Sequence, residues 1–253
     1  MKFEFPRLYT SLAKYYDKLE SQYRDYDLEA RWLSKIFEKS NVNTILDISC
    51  GSASHISRLT SLLPSCEFIA TDASKEMLYI ACKKIGEKAD IVGSDFLESP
   101  FRINSFDSVI CMYWSIAGLD SFLTRRLFAN VLSILKPGGV FVFDTENSQG
   151  IKEDLLGSPF IDSSFTVGDG RITRINHSEK LASDLIDWKS YYLHETATGA
   201  DLTIDRMKLR FFSKDQIARM LDESGFHLES VLSSGLKEYY KESPTLYFVA
   251  RKR

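Results

Sequence analysis

The stretch "TILDISCGSASHIS", residues 44–57, is the part of the sequence that decides the fold. It starts as a β-rich apolar run, reaches an acid at Asp47, and passes through small residues into a segment with helical spacing. Ser49, Gly51 and Ala53 are the small residues of this turn. Where a strand meets a helix N-terminus, small residues allow a bound molecule to approach the backbone closely. The stretch therefore predicts a binding loop.

Short β-rich runs alternate with amphipathic segments of helical length around this loop. The β-rich runs are residues 44–49, 67–72, 89–95, 107–113 and 139–145, and the helical segments are residues 54–63, 74–85 and 122–135. Strands that alternate with helices predict a parallel sheet covered by helices on both faces. Two more helices are predicted within residues 8–39, and "LKPGG" at residues 135–139 predicts a helix stop and a turn.

The second half of the chain has a different pattern. From about residue 150, polar and apolar residues alternate between turn-like sequences, which is typical of antiparallel strands with one solvated face. We expect three or four such strands over about residues 163–212. A helix then begins after Ser213, with Gln216 completing a capping box, and ends at Gly225, before two closing strands. The predicted fold class is α/β, with a doubly wound, mostly parallel sheet and an inserted antiparallel β lobe.

Composition and charge limit the classes of function. The 253 residues carry 32 basic and 35 acidic side chains, a net charge of -3, which supplies no basic face for a nucleic acid. The four cysteines form no closely spaced pair, so we expect free thiols in a reducing cytosol and no metal site. We recognise no signal peptide, and no run approaches the ~20 apolar residues of a membrane span. The expectation is a cytoplasmic protein that binds neither a membrane nor a nucleic acid.

Three acids follow three successive predicted strands. Asp47 ends the first strand, Asp72 ends the second about 20 residues beyond Gly51, and Asp95 follows the third with Phe96 beside it. The carboxyl ends of parallel strands share one edge of the sheet, where open α/β sheets bind ligands. An acid in the position of Asp72 can accept both hydroxyl hydrogens of a ribose, and an acid beside an apolar ring suits an adenine. The order of these residues predicts a nucleoside-type cofactor.

Five segments resemble the ordered motifs of class I S-adenosylmethionine-dependent methyltransferases. They are "ILDISCGSASHISRL", "IATDASKEMLYIA", "GSDF", "FDSVICMYWSIAGL" and "LKPGGVFVFD", within residues 44–145. The resemblance implies a seven-stranded Rossmann-like sheet, S-adenosylmethionine as the cofactor and methyl transfer as the reaction. NAD enzymes share the first strand and loop, but they would not be expected to carry the later motifs.

A narrower resemblance covers nearly the whole chain. The segments "LAKYYD", "CMYWSIAGL", "RINHSEK" and "LRFFSKDQIARMLDESGF" are similar to those of the sugar N,N-dimethyltransferases that act on nucleotide-linked amino sugars. Those enzymes carry an antiparallel lobe after the fifth strand, which matches the strands expected here. Many small-molecule methyltransferases share this layout without that substrate, so the resemblance implies a small-molecule acceptor and leaves its identity open.

The resemblance implies a cofactor role for a set of residues that lie in or beside these motifs. Asp47, Ser49, Gly51 and Ala53 would line the methionine end, Asp72 would bind the ribose, Ala73 and Met77 would flank the adenine, Asp95 and Phe96 would bind its edge and face, Met112 and Tyr113 would approach the sulfonium, and Tyr16 would close over the cofactor. The family usually has three glycines in the first loop. Close approach survives here if φ of Ser49 and Ala53 stays negative.

Four residues are candidates for contact with the transferred methyl group: Tyr9, Trp114, Ser115 and His177. Ordinary packing is the competing interpretation for the first two, and a solvent-facing position is the competing one for the histidine. Arg174 and Arg210 are most often surface charges, with phosphate or carboxylate binding as the alternative. The family's usual histidine is replaced by Gly118, a loss that matters more for O-methylation than for N-methylation.

The sequence thus predicts an enzyme that transfers a methyl group from S-adenosylmethionine to a nitrogen or oxygen of a small-molecule acceptor. Residues 1–43 would form N-terminal helices over the cofactor site, residues 44–150 and 213–253 the methyltransferase α/β domain, and residues 151–212 an antiparallel β lobe over the active site. A nucleic-acid methyltransferase and a cofactor-binding but catalytically inactive partner protein are the alternatives. The open edge of the antiparallel strands also makes a homodimer an expectation.

Overall fold

The structure is a computed structural model that describes residues 6–151, 153 and 156–253. Residues 1–5 of the predicted N-terminal part, and residues 152, 154 and 155 of the predicted lobe, lie outside the described residues. The α-helices are α1 (Tyr16–Glu20), α2 (Tyr26–Lys39), α3 (Ser54–Leu62), α4 (Lys75–Ile85), α5 (Ser121–Ile134) and α6 (Lys214–Ser224). The strands are β1 (Thr44–Asp47), β2 (Glu67–Asp72), β3 (Asp90–Gly93), β4 (Phe106–Cys111), β5 (Leu135–Glu146), β6 (Phe160–Val167), β7 (Gly170–Ala182), β8 (Leu185–Thr196), β9 (Gly199–Arg210), β10 (Phe226–Ser233), β11 (Lys237–Glu238) and β12 (Thr245–Lys252).

The larger sheet has the strand order β11-β10-β12-β5-β4-β1-β2-β3. Strand β1 pairs in parallel with β2 and β4, and parallel pairing continues from β2 to β3 and from β4 to β5. Strand β12 is antiparallel to β5, and β10 is antiparallel to β12. These pairings confirm the doubly wound, mostly parallel sheet. The two-residue strand β11 adds an eighth strand to the seven that were expected.

Helices cover both faces of this sheet, which explains why its central strands are apolar on both sides. On one face, α5 and α6 contribute Phe128 and Ile217 to a buried core. On the other face, α2 and α3 contribute Leu33 and Ile56 to a second core. A sheet packed in this way is accessible to ligands at the carboxyl ends of its parallel strands.

Side-chain caps fix where several helices begin. Asp25, Ser74 and Asp120 each accept a backbone N–H from the first turn of α2, α4 and α5. The predicted capping box of Ser213 and Gln216 is confirmed at the start of α6. Throughout the described part of the chain, no helix combines the length and the apolar composition needed to span a bilayer.

The LKPGG sequence differs in one respect from its prediction. Strand β5 begins at Leu135, directly after α5, instead of following a turn. Its register with β4 then jumps from Leu135 to Val140, so residues 136–139 form a bulge within the strand. Gly138 has a φ of +74° in this bulge, a conformation that a residue without a Cβ adopts freely. The strand predicted from residue 139 is the regular part of β5.

The second sheet is an antiparallel meander in the order β6-β7-β8-β9, over residues 160–210. Burial alternates along β7 and distinguishes two faces. The face that carries Arg174 and Asn176 is buried, and we call it the inner face. The face that carries Ile175 and His177 is more accessible, and we call it the outer face. The strands predicted over about residues 163–212 correspond to this sheet.

Residues 6–25 form an N-terminal segment that packs against both sheets. Its apolar cluster includes Tyr16 together with Met77 of α4 and Tyr192 of the inner face. Asp205 of β9 accepts backbone N–H groups from this segment, at 2.6 Å from Arg7 and 3.0 Å from Leu8. The meander therefore holds the start of the chain in position by hydrogen bonds as well as by apolar contact.

Candidate active site

The loop between β1 and α3 is the centre of the candidate site. Gly51 has a φ of +53°, and Ala53 lies in the left-handed region with a φ of +58°. The condition of a negative φ is therefore not met at Ala53, and the conformation costs about 1–2 kcal/mol for a residue with a Cβ. Ala53 is fully buried, so the surrounding core holds it in this conformation. Ser49 keeps a negative φ.

Asp72, at the end of β2, fixes the conformation of this loop. One of its oxygens accepts the N–H of Gly51 at 2.9 Å, and the other accepts the N–H of Ser74 at 2.8 Å. Burial raises the pKa of Asp72, and the backbone N–H groups oppose that increase. A carboxylate can accept about four hydrogen bonds, so acceptor capacity remains for a ligand. The position and the capacity both fit the ribose role predicted from the sequence.

Asp47 is buried without a cationic partner among the described residues. It is 2% exposed and accepts the N–H of Ser49 at 3.2 Å. Burial raises the pKa of Asp47 to about 7, against the lowering effects of His55 and of the Ser49 N–H. A ligand with positive charge would offset the cost of burying this carboxylate. S-adenosylmethionine carries an ammonium and a sulfonium, so the residues present fit this cofactor.

Asp95 and Phe96 follow β3 and differ in their surroundings. The Asp95 side chain is exposed, and its carboxylate accepts the N–H of Leu97 at 2.9 Å. Phe96 is half-buried and packs on the core that α5 and α6 cover. A small pocket beside these two residues is also lined by Ile48 and Thr71, at the carboxyl ends of β1 and β2. The pocket lies at the edge of the sheet where open α/β folds bind ligands.

Tyr9 and Tyr16 bring the N-terminal segment against the loop after β1. The centroids of their rings are 6.0 Å apart. The hydroxyl of Tyr16 lies near Gly51: a Cβ added to Gly51 would be 3.9 Å from the Tyr16 hydroxyl oxygen. Ser74 donates a hydrogen bond of 2.5 Å to the carbonyl of Tyr9. Burial raises the pKa of both tyrosines, so both remain protonated.

Three other predicted cofactor residues have apolar side chains and differ in burial. Ala73 is exposed between Asp72 and α4. Met77 is buried in α4 against the N-terminal segment. Met112 is buried in the core that α2 and α3 cover, and its carbonyl accepts a hydrogen bond of 2.9 Å from Ser115.

The turn after β4 contains two consecutive residues in strained backbone conformations. Tyr113 has a φ of +69° and Trp114 a φ of +58°, and their rings stack with centroids 5.5 Å apart. Asp144, at the end of β5, accepts the N–H of Tyr113 at 2.6 Å and that of Trp114 at 3.3 Å. Ser115 accepts a hydrogen bond of 2.8 Å from Ser49, which joins this turn to the loop after β1.

Arg24 lies against this turn, in a role that no sequence pattern indicates. It is 9% exposed, and its guanidinium pairs with Asp144 and, at 2.9 Å, with Glu29. The guanidinium also lies 4.7 Å from the centroid of the Tyr113 ring. Asp144 follows a pattern similar to that of the three acids found from the sequence, because it lies near the carboxyl end of a parallel strand. That pattern could have identified Asp144, but nothing marked Arg24 as its partner.

Arg174 is not a surface charge. It is 5% exposed on the inner face and pairs with Glu20 and Asp162. The same Glu20 accepts a hydrogen bond of 2.5 Å from the hydroxyl of Tyr113. The inner face is thereby connected through the N-terminal segment to the turn after β4. Arg210, by contrast, forms a partly exposed pair with Asp184 at 2.6 Å.

His177 lies away from the candidate site, so the prediction that it is a catalytic residue is wrong. It lies on the outer face, where its nearest charged partner is Glu179 at 3.7 Å. Successive side chains of a strand point to opposite faces, so the neighbouring Asn176 points inward. The alternating pattern identified the strand correctly, but the sequence could not show which face would pack on the α/β domain.

Comparisons with known proteins agree with this geometry. Residues 45–139 match the model of the protein family described as a methyltransferase domain. A putative methyltransferase of Bacillus subtilis (strain 168), YqeM, is 29% identical over 259 residues, with 97% of each chain covered. A crystal structure of an S-adenosylmethionine-dependent methyltransferase from Clostridium acetobutylicum ATCC 824 has a TM-score of 0.81 at 20% identity, covering 96% of this chain and 98% of that one. The sugar N-methyltransferase KedS8 from Streptoalloteichus sp ATCC 53650 has a TM-score of 0.78 at 21% identity, covering 100% of this chain and 96% of that one.

The fold and the matched domain define the class of the protein. Its sheet order is that of the Rossmann-like methyltransferases, and its loop after β1 lies within the matched residues. Residues 45–139 form a methyltransferase domain, and the protein is an enzyme with the fold of the S-adenosylmethionine-dependent methyltransferases. It uses S-adenosylmethionine as the methyl donor.

We expect Asp72→Ala to weaken the binding of S-adenosylhomocysteine at least tenfold, about 1.4 kcal/mol. The change removes the proposed ribose contact and also the anchor of the Gly51 N–H. Isothermal calorimetry measures the affinity, and the exposed Asp90→Ala is the matched control. An affinity equal to that of the control would rule out the ribose role of Asp72.

We expect Arg24→Met to lower the free energy of unfolding by about 3–5 kcal/mol, since Asp144 would remain buried without its cation. The loss should be smaller at pH 5 than at pH 8. Burial raises the pKa of Asp144. A group with a raised pKa in the folded state makes the protein less stable as the pH rises towards that pKa. Urea unfolding measures both effects. The control Arg125→Met removes an exposed pair with Glu223 and should cost less than about 1 kcal/mol, and an equal loss in both variants would contradict the argument.

Proposed function

We propose that this methyltransferase transfers the methyl group of S-adenosylmethionine to a nitrogen or oxygen of a small-molecule acceptor. The observation that carries the proposal is the double cover of the candidate site. The N-terminal segment packs over the loop after β1, and the inner face of the meander packs on that segment and on the turn after β4. A site covered from two directions favours a small acceptor over a long polymer.

The proposed division of the chain follows this arrangement. Residues 1–43 would supply the cover of the cofactor site, residues 44–150 and 213–253 the α/β domain, and residues 151–212 the lobe. Contacts between the lobe and the α/β domain support it, because Ile186 of the inner face packs with Ala117 and Trp114.

The residues of the site suit binding and alignment better than strong acid–base chemistry. A bound S-adenosylmethionine supplies a methyl group on a sulfonium, whose leaving group is neutral. Asp72 would hold the ribose, Asp47 would compensate positive charge, and Asp95 with Phe96 would bind the adenine. Tyr9, Tyr16 and Trp114 would exclude water from the reacting atoms, and Ser115 would support the loop through Ser49.

The inner face offers polar groups for an acceptor. Asn176 and Ser190 lie directly opposite one another and are both buried. Ser190 donates a hydrogen bond of 2.7 Å to Asn176 and accepts one of 3.0 Å from the indole N–H of Trp188. Along β8, Ser190 lies between Ile186 and Tyr192, which both make apolar contacts. This arrangement supports recognition by hydrogen bonds and shape.

A nucleic acid is disfavoured as the substrate, since the net charge is -3 and buried ion pairs occupy Arg24 and Arg174 near the site. A cytoplasmic location is part of the proposal and is supported by four free cysteines, two of which are buried.

Methyl transfer to a small acceptor can be tested directly with labelled S-adenosylmethionine. We expect label in at least one compound of a panel of amino acids, amino alcohols and amino sugars, each paired with its hydroxyl analogue. One protein of similar fold is a sugar N-methyltransferase, which is the reason to include amino sugars. Transfer to oligonucleotides alone, with none to the panel, would overturn the proposal.

A homodimer is proposed through the outer face of the meander. Ile161, Ile175, Tyr191 and Ile204 lie opposite one another in a row across the four strands. Ile161 is 70% exposed and Ile204 is 53% exposed, and Leu202 in the next row is 60% exposed. Exposed apolar residues that are contiguous in this way mark interaction surfaces.

We expect Ile204→Asp to shift the protein from dimer to monomer, because a buried unpaired carboxylate would oppose association. Light scattering with size-exclusion chromatography measures the mass. Ile103→Asp is the matched control, since Ile103 is 73% exposed in the turn before β4. A wild-type protein that is monomeric at high concentration would refute the dimer.

A further inference from the structure

Several unpartnered polar atoms belong to residues that contact or neighbour Asp144. Within the described residues, the buried side-chain atoms without a hydrogen-bond partner are Arg24 Nε, Trp114 Nε1, Glu146 Oε2 and Ser163 Oγ. Leaving such an atom unpaired costs about 1–3 kcal/mol, so each one calls for an explanation. The first three belong to residues grouped around Asp144.

Hydrogen bonds and strand register define this group. Arg24 pairs with one oxygen of Asp144, and the N–H of Trp114 donates to the other at 3.3 Å. Glu146 lies two residues beyond Asp144 on β5, so both side chains are on the same face of the sheet. Across the strand pair, Tyr247 is opposite Asp144 and Thr245 is opposite Glu146.

The group carries more negative than positive charge. Asp144, Glu146 and Glu29 supply three carboxylates, and Arg24 is the cation that pairs with two of them. His55 contacts Glu29 at 2.7 Å on the far side of that pair. Glu146 therefore has no cation of its own among the described residues. Burial, followed by the charge of Asp144, raises the pKa of Glu146 to about 8, against the lowering effect of Arg24.

We propose that Glu146 and the indole N–H of Trp114 form the acceptor subsite, in which Glu146 binds an amine nitrogen and Trp114 donates a hydrogen bond to an oxygen of the same molecule. This inference rests on the proposed function and narrows it from a nitrogen or an oxygen to an amine. An ammonium group would supply the positive partner that the Glu146 carboxylate lacks. An oxygen of the acceptor would accept a hydrogen bond from the unpaired indole N–H of Trp114. The sequence analysis did not predict that Glu146 and Trp114 act together.

Glu146 also has the chemistry to prepare the amine for reaction. An amine that arrives as an ammonium has no free electron pair. Its N–H bond breaks, the proton moves to a carboxylate oxygen of Glu146, and the electron pair returns to nitrogen. That nitrogen then attacks the methyl carbon while the carbon–sulfur bond breaks and its electron pair stays on sulfur. A proton acceptor works best when its pKa is near the working pH, which a carboxylate of ordinary pKa would not meet.

Steady-state kinetics with glycine, ethanolamine and glucosamine as acceptors test this inference. We expect Glu146→Gln to lower kcat/KM for the amine that the wild type methylates at least tenfold at pH 7. The deficit should shrink at pH 9.5, where more of the amine arrives unprotonated. Trp114→Phe keeps the ring and removes the N–H, and it should raise KM at least threefold. The control Glu223→Gln changes an exposed carboxylate that pairs with Arg125 and should behave as the wild type.

Calorimetry with S-adenosylhomocysteine separates this inference from the proposed function. The affinity of Glu146→Gln for S-adenosylhomocysteine should be within twofold of the wild-type affinity. That result would show that the cofactor site of the variant is folded. If the variant methylates amines as well as the Glu223→Gln control, the subsite is wrong and the proposed function stands. If the wild type binds S-adenosylhomocysteine but methylates only hydroxyl groups, or none of the panel, the amine subsite is overturned. Failure of the wild type to bind it would overturn both.

Discussion

The buried pair between Arg24 and Asp144 is the interaction on which the candidate site depends. It ties the N-terminal segment to the end of β5, and the same carboxylate holds the two N–H groups of the turn after β4. Removing two charges from water is expensive, so such a pair persists only where further hydrogen bonds satisfy it. Glu29 and the aromatic rings around the guanidinium supply that support.

Strained backbone conformations occur where this support is available. Ala53, Tyr113 and Trp114 are three of the non-glycine residues with positive φ, and all three belong to the two loops of the site. The hydrogen bonds of Asp72 and Asp144 hold the backbone of the same loops. Strained conformations that the surroundings over-determine are typical of preorganised sites. The loops are therefore shaped by the protein before a ligand is bound.

The meander contributes to the site through the N-terminal segment as well as directly. Arg174 on its inner face pairs with Glu20, and Glu20 accepts the hydroxyl hydrogen of Tyr113. A displacement of the meander would thus disturb the turn that carries Trp114. This connection gives the inserted strands a part in forming the site, and their outer face remains available for association.

The sequence by itself determined the α/β class, the antiparallel insertion and the acids Asp47, Asp72 and Asp95. These features follow from periodicity and from the local rule that a parallel strand presents its carboxyl end to ligands. Only the tertiary structure decided that Arg24 meets Asp144, that Arg174 is buried, and that His177 faces outward. Those outcomes depend on which distant residues come together and on which face of a strand packs inward. An alternating pattern is the same for either face, and a single arginine between two helices carries no periodic signal.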